Sequence, residues 1–157
     1  MTVGSVGVLG NGQPASPEAV AVMAERGLDL SAHRSAPLTT EAVHAADLVL
    51  AMTRQHVREV CATTPGAWPR TFTLKELVRR CSVAAPRGPG HSLAAWLAVV
   101  GQARSVTDLM GSDPSDDVAD PIGLDRETYR ATAAEIDALL ASLVAATWPE
   151  ALAQGAA

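Results

Sequence analysis

Leu48-Val49-Leu50-Ala51-Met52 is a run with no polar side chain, set between two segments that carry helix signals. A strand with one wet face alternates apolar and polar residues. An unbroken apolar run fits a strand covered on both faces, as in a parallel sheet. Parallel strands need crossover connections, usually helices, and the flanking sequence supplies them. Thr39 or Thr40 can cap a helix over Glu41–Ala46, and Thr53 can cap another running to about Cys61 before Pro65 and Gly66 end it. Arg70–Thr73 suggests a second short strand and Lys75–Arg80 a short helix.

The same punctuation organises the rest of the chain. Thr2–Val6 is expected to be a short strand, followed by breakers at Gly7, Gly10, Gly12 and Pro14. Ser16 as N-cap, Pro17 in the first turn and Gly27 at the end frame a helix whose apolar face is Val20, Met23, Ala24 and Gly27. Pro86–Gly90 is a loop, Ser92–Arg104 a helix, and Thr107–Ile122 an acidic loop broken by Gly and Pro. Asp125 caps a last long helix with the stripe Tyr129, Ala133, Ile136, Leu140 and Leu143. Helices alternating with short apolar strands predict an α/β domain, a three-layer helix–sheet–helix arrangement around a short parallel sheet. The domain is expected over 1–147, with a frayed tail over 148–157.

Composition narrows the function classes. The 157 residues fit one domain, and 48% apolar against 18% charged residues is a globular balance. The net charge of -5 and the absence of a basic run argue against nucleic acid as a partner. Leu93–Val100, the longest clean apolar run, is too short to cross a bilayer. The first residues show no basic region followed by an apolar stretch, so no secretory signal is visible. Two cysteines in such a chain are expected to be reduced thiols in the cytoplasm. His33, His44, His56 and His91 lack metal-ligand spacing, and neither a metal nor a cofactor is expected. Cys61 reads as a small apolar residue and Gly10-Asn11-Gly12 as a turn.

Several landmarks occur in one order. They are Ser5-Val6-Gly7, then Gly27-Leu28-Asp29-Leu30-Ser31-Ala32-His33-Arg34-Ser35, then Asp47–Leu50 with Met52 and His56. After these come Phe72–Leu77, Val118-Ala119-Asp120-Pro121-Ile122-Gly123, and Tyr129-Arg130. Over roughly residues 4–144 this series resembles the low-molecular-weight protein tyrosine phosphatase family, bacterial type. The resemblance implies a phosphotyrosine-type substrate. In that chemistry a cysteine thiolate attacks phosphorus to give a phosphocysteine that water hydrolyses. Backbone N–H groups of the cysteine loop and a helix N-terminus hold the phosphate oxygens, and an arginine grips two of them. An aspartic acid on a separate loop protonates the leaving group, a transfer worth about 10²–10⁴-fold. By resemblance, Asp120 is that general acid and Pro121 stiffens its loop. Ile122 stands where the family often has an aromatic residue to stack on a substrate ring.

The family's Cys-x-Gly-Asn-x-Cys-Arg-Ser loop should stand before the Ser5-Val6-Gly7 segment, where this chain has four residues. No residue maps onto the nucleophile or the phosphate-gripping arginine. Cys81 and Arg87 carry the bare spacing of a cysteine, five residues and an arginine. They follow a helix, enclose no glycine and include Pro86, which lacks an N–H. Cys81 is therefore expected to be a partly buried thiol with an ordinary pKa near 8.5. With the family's first strand absent, either Thr2–Val6 pairs with Leu48–Met52, or the exposed edge accepts a strand from a partner or another copy of the chain. Three functions compete: part of a longer active phosphatase, a non-catalytic interaction module, and a remnant without function. The chain as given is expected to be inactive.

Overall fold

Val49–Ala51 forms β1 and Thr71–Thr73 forms β2. The two run parallel, with Val49 opposite Thr71, Leu50 opposite Phe72 and Ala51 opposite Thr73. Residues 2–111 and 114–149 are described in the computed structural model of the chain. Asp113 and nearly all of the expected tail, 150–157, lie outside the described residues.

Among the described residues eight regular elements carry the fold. In chain order they are α1 (Pro17–Glu25), α2 (Thr40–Ala45), β1, α3 (Arg54–Thr63), β2, α4 (Leu74–Cys81), α5 (Leu93–Val100) and α6 (Arg126–Thr147). Short 3-10 turns over Pro65–Arg70, Val106–Met110 and Pro114–Asp116 complete them. Ser16, Thr39, Thr53 and Asp125 cap helices as the sequence suggests, and Thr73 and Ser92 prove to be caps as well. Ser16, Thr39, Thr53, Thr73, Ser92 and Asp125 each accept a backbone N–H of the first helical turn. At the end of α1, Leu28 N–H reaches the Met23 carbonyl and Gly27 N–H the Ala24 carbonyl. This double closure needs the left-handed φ of +76° that Gly27 supplies.

Both faces of β1 are covered. Leu48 and Leu50 pack on a core of Phe72, Leu74, Leu77, Trp96, Leu97, Val100 and Leu143. Val49 points the other way, toward Val43, Val60 and Ala67. Alternate residues facing alternate layers is what the pleat dictates. The three-layer α/β arrangement expected from sequence is therefore present, with α4, α5 and α6 on one side and α2 and α3 on the other.

Four local expectations are corrected. Thr2–Val6 is not a strand and does not pair with β1; those residues are exposed, and the segment first meets the fold in a single bridge between Gly7 and Pro37. In α1 the buried side chain is Val22, while Ala24 and Gly27 are exposed, because α1 packs on α6 through a face rotated from the expected one. On α6 Leu140 is exposed and Leu139 joins the core, since the inward row follows Ile136, Leu139, Leu143 and Ala146. The helix expected to reach Arg104 ends at Val100.

That last break has a clear cause. Ala103 adopts φ +62°, an uncommon conformation for a non-glycine residue. The turn sends Arg104 inward. Its guanidinium lies 3.8 Å from the ring centroids of both Trp68 and Phe72, with its side chain only 3% exposed. It donates to Glu76 Oε1 at 2.9 Å, to the Trp68 carbonyl at 3.0 Å and to the Thr71 carbonyl at 2.6 Å. One side chain thus ties β2, α4 and the 3-10 turn before β2 together.

Candidate active site

In open parallel sheets, sites form beyond the carboxyl ends of the strands. Here β1 ends at Ala51, and Thr53 opens α3 immediately after it. The acidic loop over Ser105–Gly123 is drawn to this end. Val118 N–H donates to the Met52 carbonyl at 2.8 Å, and Val118 itself is buried. Asp117 Oδ1 accepts the Arg54 backbone N–H at 2.7 Å. Asp116 is buried between two arginines, accepting from Arg79 Nη2 at 2.7 Å and Arg54 Nη2 at 3.2 Å. Burial pushes the Asp116 carboxyl up, but the two guanidinium groups outweigh it and hold the group below its ordinary range. Arg58 donates to the Leu109 carbonyl and, at 2.7 Å, to the Gly111 carbonyl.

This anchoring places Asp120 two residues past a buried, hydrogen-bonded Val118. The Asp120 side chain is exposed, and its Oδ1 accepts the Ile122 N–H at 3.0 Å in a local turn. Ile122 is two-thirds exposed beside it. In the sequence Asp116 and Asp117 are only two acidic residues of the loop expected over Thr107–Ile122. Their roles depend on Arg54 and Arg79, residues 37 to 63 positions away, and no local pattern announces such pairs.

Cys81 and Arg87 do not form a phosphate cradle. Cys81 is the last residue of α4, half-buried against the main core, and burial pushes its thiol up to about 11 rather than leaving it ordinary. The amides after it are already used. Ser82 N–H goes to the Val78 carbonyl, Val83 N–H to Arg80, Ala84 N–H to Cys81 and Arg87 N–H to Ala146. The Arg87 guanidinium donates to the Thr147 carbonyl at 2.6 Å and the His91 carbonyl at 2.6 Å. Its position satisfies the final carbonyls of α6, which would otherwise lack partners. Cys61 is half-buried on α3, and burial raises its thiol too.

The remaining sequence candidates have structural places. Gly10 and Gly12 take φ of +51° and +72° in a turn pinned to Ser35, whose Oγ donates to the Gly10 carbonyl and accepts Gln13 N–H. His33 is exposed, and His56 lies in the first turn of α3. Among the described residues no three His, Cys, Asp or Glu side chains converge as metal ligands would, and no helix is long and apolar enough to cross a membrane.

A profile of the low molecular weight phosphotyrosine protein phosphatase family matches residues 1–92. The chain belongs to this family. It is 43% identical over 67 residues to a probable low molecular weight protein-tyrosine-phosphatase of Ralstonia solanacearum, covering 43% of this chain and 46% of that protein. A protein-arginine-phosphatase of Geobacillus stearothermophilus is 32% identical over 139 residues, 88% of this chain and 71% of that one. Among solved structures, a low molecular weight protein tyrosine phosphatase from T. tengcongensis superposes with a TM-score of 0.64 at 33% identity, over 90% of this chain and 74% of that one. An arginine phosphatase from Geobacillus stearothermophilus gives 0.62 at 31% identity, over 89% and 70%. The chain spans about half the length of the curated relatives it matches first. In this member of the family, the Asp120-Pro121 pair follows two residues after the Val118 N–H that bonds to the Met52 carbonyl.

Proposed function

We propose that this chain carries the acid half of the family's chemistry, with Asp120 as the general acid. The supporting observation is the fastening of the Asp120 loop to the end of β1 through Val118 N–H and the Met52 carbonyl. A protonated Asp120 would give its proton to the leaving atom as the bond to phosphorus breaks. A positioned acid is worth about 10²–10⁴-fold in such a step. The substrate class is a phosphorylated protein side chain in the cytoplasm: phosphotyrosine, or phosphoarginine as the names of two relatives suggest. The exposed aliphatic Ile122 offers no flat ring to stack on a phenol, which favours the non-aromatic alternative.

Among the described residues neither Cys61 nor Cys81 stands in a ring of free amide donors, so in this reading the described chain does not itself supply the nucleophile. The test is hydrolysis of an aryl phosphate and of phosphoarginine by the purified chain, beside Cys81→Ser and Asp120→Ala. Turnover abolished by Cys81→Ser would show that the buried thiol is the nucleophile and would overturn the reading. A second reading, that the domain acts by binding, is favoured by the open side of β1.

A further inference from the structure

β1 is paired on one side only among the described residues. Its faces are covered by the two core layers, yet Val49 and Leu50 remain only half-buried. Among the described residues no second strand lies along the other edge of β1. Such an edge presents a row of backbone donors and acceptors, a ready template for another strand. Its apolar, uncharged stretch, Leu48–Met52, selects a partner segment that is also uncharged and apolar.

The chain itself carries such a segment. No charged residue occurs before Glu18. Val3 is 81% exposed, Val6 47%, Val8 44% and Leu9 84%. Exposed apolar side chains grouped this closely mark an interaction site more often than a plain surface. Residues 2–6 make no backbone hydrogen bond to the other described residues, and anchoring starts at Gly7, which bonds to Ala36 and Leu38. That anchor holds the segment beside Pro37 and leaves it off its own β1. Extended, residues 2–6 span about 16 Å at about 3.3 Å per residue, the length of the Leu48–Met52 stretch.

We propose that the partner of the β1 edge is a second copy of this chain, each copy laying its residues 2–6 along the other's β1. The exchange is reciprocal, so the interface is isologous and closes at two copies. The inference deepens the binding reading above and rests on it.

Sedimentation velocity of the full chain over about a hundredfold range of concentration tests it. The expected result is a dimer fraction that rises with concentration. Val3→Asp with Val6→Asp should weaken the dimer at least about tenfold. Both positions are exposed, so melting of the dilute monomer should not change. Mixing the Val6→Cys chain with the Val49→Cys chain under mild oxidation should give a disulfide-linked pair. A closed loop within the single Val6→Cys, Val49→Cys chain at high dilution would show that the segment folds back on its own strand, and would overturn the proposal. A monomer at every concentration that binds an unrelated Val-Thr-Val-Thr-Val peptide would also overturn it, while leaving the binding reading in place. A monomer that binds neither would sink both.

Discussion

Replacing Arg104 with Met should destabilise the domain by about 3 kcal/mol. Breaking a buried ion pair by removing one partner costs about 3–5 kcal/mol, because the other charge is left buried. Arg104 is 3% exposed at its side chain and Glu76 16%, so solvent repays little. Two terms push further up: the cation lies over two ring faces, each contact worth about 0.5–2 kcal/mol, and two backbone carbonyls lose a donor. Two terms pull down: Arg80 Nε still donates to Glu76 at 2.8 Å, and the Met side chain refills much of the space between the rings. About 3 kcal/mol is the balance, which should lower Tm by about 6–12 °C for a chain of this size. Urea unfolding can be followed by tryptophan emission, since Trp68 is one of the three tryptophans and stacks on the substituted group. Arg104→Met combined with Glu76→Gln should recover part of the loss, because no carboxylate is then stranded. A single-substitution loss below about 0.5 kcal/mol would refute the picture of Arg104 as a buried tie.

Further outcomes follow from the same structure. Cys81, with its thiol near 11, should be thiolate to only about one part in 10⁴ at neutral pH, so iodoacetamide should modify it far more slowly than a free cysteine; labelling at the free-cysteine rate in the folded chain would contradict this. The Asp116 carboxyl is held below its ordinary 3.8 by two arginines, so its stabilisation is present above that pH and lost as pH falls through its lower folded value. Asp116→Asn should therefore be less stable than the parent by about 2 kcal/mol at neutral pH, with the gap closing as pH falls below the ordinary carboxyl value of 3.8 in urea melts. Arg87→Ala removes the donor to the Thr147 carbonyl and should cost about 1–2 kcal/mol in urea melts, whereas Cys81→Ser should cost less than Arg87→Ala.

Most of the fold was legible because its signals are local. Each Ser, Thr or Asp cap lies within three residues of the N–H it accepts, and the Leu48–Met52 run declares its two covered faces by composition alone. What failed was non-local. Thr2–Val6 looks extended by residue type, but strand formation needs a partner edge, and no sequence window shows one. The end of α5 turned on the left-handed Ala103, selected by Arg104 reaching Glu76 28 residues earlier. At the proposed site, Asp120 is singled out by resemblance to a motif, while Asp116 escapes notice because its meaning comes from Arg54 and Arg79 on two other helices. The Cys81–Arg87 spacing shows the reverse: the pattern is visible in the sequence, yet the fold uses the arginine to close a helix and the cysteine to fill space.

The single hydrogen bond from Val118 to Met52 joins the last carbonyl past β1 to the chain leading into Asp120. Only one buried residue and one alanine separate that joint from the carboxylate. A shift of the sheet's rim at Met52 would therefore be passed to Asp120 through two residues, and if Asp120 is the proposed acid, a ligand that fixes it would by thermodynamic reciprocity change how readily that rim moves.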